Sequence, residues 1–299
     1  MQRVVITGAT GLIGSHLSPL LEELGYDVVH LTRNRKKGDR AKSFVWDPGR
    51  SYADSDAFRP GDIIIHLAGT SIGAGRWTRK RKSEIISSRV DSAALIFSKT
   101  VGAGIIPSAF ITASASGYYG AITSQKIFTE AEPPADDFLG ETCRRWEEAA
   151  LPFAQHGVRV VMIRTSVVLS ASGSALSKIK MPAAAGLIIR FGPGDQYFPW
   201  IHIDDLCAVY LMAVRESGMT GPYNASAPGH VTLEALMMEI ARQKHLPVFL
   251  PHIPEWFMRA VLGEMSVILT TGSRISSARL ANEGFSFRYP DIASALRVC

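Results

Sequence analysis

The chain alternates short apolar, β-branched runs with longer stretches in which apolar positions recur every three or four residues. Arg3-Val4-Val5-Ile6-Thr7 is the first run and reads as a short buried strand. Leu12, Ile13, His16, Leu17, Leu20, Leu21 and Leu24 then follow helical spacing, and Gly25 stands where a helix-terminating glycine belongs. Pro19 lies inside this pattern, where proline costs about 3 kcal/mol or bends the helix, yet the periodicity continues on both sides. Residues 27–32, 43–46, 62–67, 109–113 and 159–164 predict five more strands. The 62–67 run is apolar on both faces, as a parallel sheet interior requires. Residues 77–101 predict a long helix, and residues 138–156 another that is interrupted near Pro152. Strands and helices alternating at this interval predict an α/β fold built on a doubly wound parallel sheet.

The remainder changes character. Residues 171–200 are rich in Gly, Ala, Ser and Pro, and residues 217–299 hold short helical patterns broken by prolines. Residues 1–170 are therefore read as the core domain, with 201–216 returning to it. Residues 171–200 and 217–299 are read as a smaller C-terminal lobe on the substrate side. Hydrophobic residues make up 46% of the 299, enough for a substantial core without disulfides. The three cysteines, Cys143, Cys207 and Cys299, are odd in number and far apart, which suits a reducing cytoplasm. The chain enters its first strand at once, so no signal peptide is expected. No apolar run approaches the roughly 18 residues of a membrane span. The net charge of +5 gathers in two clusters, residues 33–40 and 76–82. A nucleic-acid surface fits such clusters, and so does ordinary solvated surface. The second is the simpler account, and neither a nucleic acid nor a membrane is expected as a partner. The eight histidines are scattered, with no metal-ligand spacing.

Chemistry first becomes specific at the end of the first strand. Gly8-Ala9-Thr10-Gly11-Leu12-Ile13-Gly14 is a G-x-x-G-x-x-G turn between a strand and a helix start, a variant of the dinucleotide fingerprint. Gly8 permits the tight turn, Gly11 lets a diphosphate approach the backbone, and Gly14 lets helix and sheet lie close. The free N–H groups of the helix start then face the phosphates. NAD-specific sites place an acid about 20 residues beyond the glycines, on the ribose 2′-hydroxyl. Here that position holds Thr32-Arg33-Asn34-Arg35-Lys36-Lys37, with no acid. A carboxylate repels a 2′-phosphate and a guanidinium binds one in a forked geometry, so NADP is expected over NAD, with Arg33 as the 2′-phosphate ligand. Leu67-Ala68-Gly69 ends the 62–67 strand with small residues that leave room for a cofactor.

Several segments together resemble a known family. They are residues 7–14, His66-Leu67-Ala68-Gly69, Tyr118-Tyr119-Gly120 and Trp200-Ile201-His202-Ile203-Asp204-Asp205. In that order they resemble the extended short-chain dehydrogenase/reductases, a Rossmann-fold group that includes nucleotide-sugar epimerases and dehydratases. Ser88-Arg89-Val90, residues 196–202, residues 221–228 and residues 284–290 resemble more narrowly the atypical "epimerase family protein" subgroup, whose members carry a C-terminal domain of unknown function. The resemblance implies cofactor contact at Glu84 and Arg89. It also implies an approach to the nicotinamide at Arg164-Thr165-Ser166 and Val168. A homodimer through two core helices is the superfamily habit, and a monomer is the alternative.

The main superfamily works through Tyr-x-x-x-Lys and an upstream serine. No tyrosine here has a lysine four residues on, and in the expected helix the pair reads Leu139 and Cys143. Leucine exchanges no proton, and a neutral thiol lacks the fixed charge of an ammonium. Ser114 or Ser116 fills the upstream serine position. Cys143 is either a nucleophile with a depressed pKa or a small packing residue. Tyr118 is either a proton donor or packing. Arg164, Gln196, Trp200 and His202 are candidate substrate-pocket residues. The expectation is an NADP-binding oxidoreductase or epimerase-like enzyme acting on a nucleotide sugar or another small carbonyl or hydroxyl compound. The alternative is a catalytically silent NADP-sensing or partner-binding module.

Overall fold

The structure, a computed structural model, describes residues 1–33, 42–171, 190–246 and 252–299. Its centre is an eight-stranded sheet. The strands are β1 (Arg3–Thr7), β2 (Asp27–Thr32), β3 (Lys42–Asp47), β4 (Tyr52–Ala53), β5 (Ile63–His66), β6 (Ala109–Ala115), β7 (Arg159–Thr165) and β8 (Gly221–Ala225). Their order across the sheet is β8-β7-β6-β5-β1-β2-β3-β4. All neighbours are parallel except β3 and β4. Strand order reverses between β1 and β5, which opens a crevice above their carboxyl ends.

Helices cover both faces. Helix α1 (Leu12–Glu23) packs with α5 (Ile203–Arg215) on one side, over Val4, Ile6, Ile65, Ile111 and Ile163. Helices α2 (Arg79–Lys99), α3 (Phe138–Glu148) and α4 (Leu151–Gln155) cover the other side, where Val5, Ile64, Phe110 and Phe153 form the core. Phe110 and Phe153 stack with centroids 4.0 Å apart. The expected break near Pro152 is the step from α3 to α4, with Pro152 in the first turn of α4. Pro19 lies on the solvent face of α1, where the Ser15 carbonyl that loses its N–H partner is open to water.

A third apolar cluster joins Leu169 and Trp200 to helix α6 (Leu233–Gln243) and to Tyr289, Ala295 and Leu296. It is the core of the smaller lobe, which also carries helix α7 (Glu255–Leu262). Residues 201–216 pack on the main core, and so does part of the stretch beyond 217. Gly221–Ala225 adds the edge strand β8 beside β7, and Leu280, Phe285 and Phe287 pack on the first core cluster. Most of the stretch 171–200 lies outside the described residues.

Candidate functional site

A groove of about 840 Å³ opens above the carboxyl ends of β1, β2, β3 and β5. Gly8, Thr10 and Gly11 form its floor, Thr32 and Arg33 one end, Asp47 to Gly49 a rim, and Leu67, Ala68, Gly69 and Glu84 the far wall. Gly8 has φ +69°, and a Cβ there would lie 3.0 Å from the Ala68 nitrogen and the Leu67 carbonyl carbon. A Cβ on Gly14 would lie 2.5 Å from the Ala9 Cα and 2.6 Å from the Gly8 oxygen. Only glycine permits either approach. Gly11 caps α1 with no side-chain hydrogen bond, and the first turn of α1 carries no acid. The opening N–H groups of the helix therefore face the groove without a competing anion. Leu12 and Ile13 do not line the groove, and their side chains pack against the core. Arg33 is exposed at the end of β2, and no acid from that strand stands beside it. The rest of the basic cluster, residues 34–40, lies outside the described residues.

The far wall is held by a buried polar chain. Thr7 Oγ1 accepts the N–H groups of Leu67 and Ala68, each at 3.1 Å. Its own proton then goes to His66 Nδ1 at 2.8 Å, so His66 Nε2 carries hydrogen and donates to Ser92 Oγ at 3.0 Å. Ser92 donates onward to the Ser88 carbonyl at 2.8 Å. Burial pushes the His66 pKa down to about 4, so the ring stays neutral and the chain of bonds keeps one direction. Arg89 lies behind Gly69, where a Cβ would meet its Cζ at 3.2 Å. Its Nη1 donates to the carbonyls of Thr70 (3.0 Å) and Ile85 (2.8 Å), and its guanidinium sits 4.6 Å from the Trp146 ring. Its buried Nε has no partner among the described residues, a donor left over behind Gly69. Glu84 faces the groove from α2 and pairs with Arg81 at 3.4 Å.

The candidate proton-transfer residues gather at the carboxyl ends of β6 and β7, two strands along from the glycine turn. Ser114 and Arg164 stand side by side in register. Both are buried and both bind Glu147. Ser114 Oγ donates to Oε1 at 2.7 Å, and Arg164 makes a two-pronged pair with Nε and Nη2 at 2.8 Å each. Burial works against the Arg164 charge, but the Glu147 carboxylate holds its pKa above the ordinary value. Arg164 Nη1 also donates to Tyr119 Oη at 3.0 Å, and Tyr119 donates to Asn224 at 2.7 Å. Tyr118 is half-buried on the turn Ser116–Tyr119, with its ring 3.5 Å from the Arg164 Cζ. Burial raises its pKa, so the phenol is protonated at neutral pH. Leu139 and Cys143 on α3 close against this turn at Gly117.

Residues 4–226 match the NAD dependent epimerase/dehydratase family, and residues 253–299 match a domain of unknown function, DUF1731. The chain is 35% identical over 298 residues to the epimerase family protein YfhF of Bacillus subtilis, covering 98% of this chain and 96% of that one. It is 34% identical to the chloroplastic epimerase family protein SDR39U1 homolog of Arabidopsis thaliana, covering 98% and 85%. Among solved structures, human epimerase family protein SDR39U1 (isoform 2), determined with NADPH, superposes with TM-score 0.87 at 27% identity, covering 99% and 98%. This chain belongs to the NAD dependent epimerase/dehydratase family. It is an atypical member, because the helix that should carry Tyr-x-x-x-Lys presents Leu139 and Cys143.

Against that family background several expectations change. Cys143 is buried, and burial drives its thiol up to about 12, so it is no nucleophile at neutral pH. Ser114 is 2% exposed and engaged with Glu147, which makes it a member of the buried network. Arg164 is likewise locked under Tyr118 and does not line an open pocket. Gln196 is buried, accepting from the Gly194 N–H and donating to the Leu269 carbonyl. Trp200 is in the lobe core, with its indole N–H on the Gly229 carbonyl. His202 caps α5 by accepting the Asp204 N–H, packs 4.1 Å from the Tyr289 ring, and is kept neutral by burial. These three hold the lobe together. Val168 sits in the short strand Val167–Leu169, paired with Trp200–His202, and packs on the core outside the groove. Sequence reading missed Glu147 and Ser92, and quoted Ser88 only as part of a family segment, without a role. For Ser92 the available signal was its place three residues after Arg89, on the same face of α2.

Proposed function

We propose that this protein binds NADP(H) in the groove, in preference to NAD(H), and works as an oxidoreductase or epimerase-like enzyme with an atypical proton donor. The observation that carries the reading is the meeting of three features in one groove. They are the glycine turn with its uncapped helix start, the cradle at Gly69 beside an Arg89 Nε left without a partner among the described residues, and Arg33 at the end of a strand that carries no acid there. The NADPH bound to the human relative agrees with it. Gly8, Thr10, Gly11 and the N–H groups of Leu12 and Ile13 would hold the diphosphate, with Gly14 giving the close approach. Thr32 and Arg33 would hold the 2′-phosphate, and Leu67, Ala68 and Gly69 would pass along the cofactor, with Glu84 and Arg89 at the ribose side. A bound nicotinamide supplies or accepts hydride. The chain's part is to orient it over β6 and β7 and to provide a proton. Tyr118 is the group suited to that, since its phenol keeps its proton and a fixed guanidinium lies beneath its ring. The substrate class is a small carbonyl or hydroxyl compound, nucleotide sugars included.

Titration with both reduced nucleotides tests the cofactor assignment. NADPH is expected to bind at least tenfold more tightly than NADH. Replacing Arg33 by aspartate is expected to cost NADPH roughly 10- to 100-fold, the worth of a charged hydrogen bond, and to leave NADH unchanged or improved. Equal affinities would remove the assignment.

A second reading is favoured by the same proton-transfer locus. Leu139 is apolar, Cys143 is a buried thiol and Ser114 is engaged, so of these four Tyr118 is the one placed to exchange a proton, with Ser116 half-buried on the same turn. If Tyr118 does not act, the chain is an NADP-sensing or partner-binding module. NADPH oxidation across a panel of carbonyl compounds and nucleotide sugars separates the two. Turnover abolished by Tyr118→Phe supports the enzyme, and no turnover with any compound supports the sensor.

A further inference from the structure

Four of the five tryptophans are buried, none more than 8% exposed, whereas Trp256 is 71% exposed. It stands on α7 beside Phe257, 47% exposed, which lies about one turn before Val261, 53% exposed. At 100° per residue, positions 256, 257, 260 and 261 share one side of the helix. Met258, on the opposite side, is the buried anchor. A surface helix ordinarily turns its apolar side inward. Here the aromatic side faces water, and a contiguous apolar patch of this kind marks an interaction surface.

The frame of the patch is basic. Arg76 donates to the Ala260 carbonyl at 2.9 Å and Lys82 pairs with Glu264, so the start of α2 is fastened to the end of α7. Arg79, Lys80, Arg81 and Lys82 open α2, with no acid in its first turn. That is the helix end at which cations are disfavoured. Arg81 is matched by Glu84. Arg79 and Lys80 are exposed and have no ion-pair partner among the described residues, and the same holds for Arg259 on α7. Glu255, in the first turn of α7, is the one acid on that helix.

We infer that this surface, with Trp256, Phe257, Val261 and Arg259 on α7 and the exposed Arg79 and Lys80 on the helix fastened to it, docks on an anionic lipid bilayer. Tryptophan and phenylalanine sit at the boundary between headgroups and acyl chains, and the cations meet lipid phosphates at the same depth. The excess of positive charge at the patch selects an anionic bilayer over a neutral one. The lack of a long apolar run in the sequence bears only on spanning. A peripheral contact needs one exposed helix face, and it stands independently of the cofactor assignment.

Vesicle flotation with the full chain tests the inference. Vesicles of phosphatidylcholine alone are compared with vesicles that also contain phosphatidylglycerol, at low and at high salt. The protein is expected to float with the anionic vesicles at low salt only. The Trp256→Ser/Phe257→Ser variant is expected to lose flotation, and Arg79→Glu/Lys80→Glu to bind at least tenfold more weakly. Trp256 is the exposed tryptophan, so its emission is expected to shift to the blue on binding and to be quenched by brominated acyl chains. Thermal melting of both variants checks that they remain folded. Failure to float with either vesicle would overturn the inference, as would flotation that both folded variants retain. A concentration-dependent dimer that Trp256→Ser/Phe257→Ser abolishes would also overturn it, assigning the face to a second copy of the chain.

Discussion

Gly14 has no room for a methyl group, because the atoms it would strike are the backbone of Ala9 and Gly8. Replacement by alanine must push α1 off the sheet. We expect a loss of about 1–3 kcal/mol in stability, the usual range for overpacking, together with weakened NADPH binding. Chemical denaturation and nucleotide titration of the same sample check both. Glu147 makes a different prediction. Its carboxylate answers the buried Arg164 and accepts from Ser114, so Glu147→Ala leaves an uncompensated cation inside the protein. A loss of about 3–5 kcal/mol is expected, read as a lowered melting temperature. A thiol count gives a third check. Cys143 and Cys207 are buried, and burial raises both thiols to about 12. A thiol reagent at neutral pH is expected to spare these two in the folded protein and to label them after denaturation. Rapid labelling of Cys143 in the native state would restore it as a nucleophile. The glycine turn and the place of Arg33 at the end of β2 were legible in the sequence because both follow from local order along the chain. Glu147 was not, because its partners lie on β6 and β7, and no local pattern shows which face of α3 meets them. Gln196, Trp200 and His202 misled for the same reason, since polar and aromatic residues near a glycine-rich stretch suit a pocket and a lobe core equally well.

At the level of the elements, the Thr7–His66–Ser92 chain ties β1, β5 and α2 together behind the groove. Its pH dependence has a definite sign. The folded-state pKa of His66 is about 4 against an ordinary value of 6.5, so folding favours the neutral ring. That contribution is complete above pH 6.5 and is lost as pH falls from 6.5 towards 4. The linkage amounts to about 3 kcal/mol for a shift of this size. Denaturation at a series of pH values is expected to show this slope in the parent protein and a shallower one in His66→Gln. Equal slopes would mean that the ring is not held neutral. Most strands and helices followed from periodicity. Strand β8 did not, because Gly221-Pro222-Tyr223-Asn224-Ala225 is built largely from residues that are poor in strands. Its edge position explains the tolerance, since an edge strand can carry Pro222 without breaking an interior ladder. Pro19 is the converse case, an apparent helix breaker made harmless by facing water.

Across the whole molecule, the doubly wound sheet places its switch point between β1 and β5, and the groove lies above it. The adenosine end of a dinucleotide would lie towards β2 and β3, and the nicotinamide end towards β6 and β7, where Tyr118 rests on Arg164. Among the described residues no helix is long and apolar enough to cross a membrane. The return of β8 and of Leu280, Phe285 and Phe287 to the main core was not legible, because chain order alone does not show which late segments rejoin an early core. The most direct test of the cofactor site is a crystal structure of the protein grown with NADPH. We expect density for the diphosphate against Gly8–Gly11 and the start of α1, with the 2′-phosphate within hydrogen-bonding distance of the Arg33 guanidinium. A nucleotide bound with its 2′-phosphate turned away from Arg33, or a groove filled by neighbouring side chains instead, would contradict the assignment.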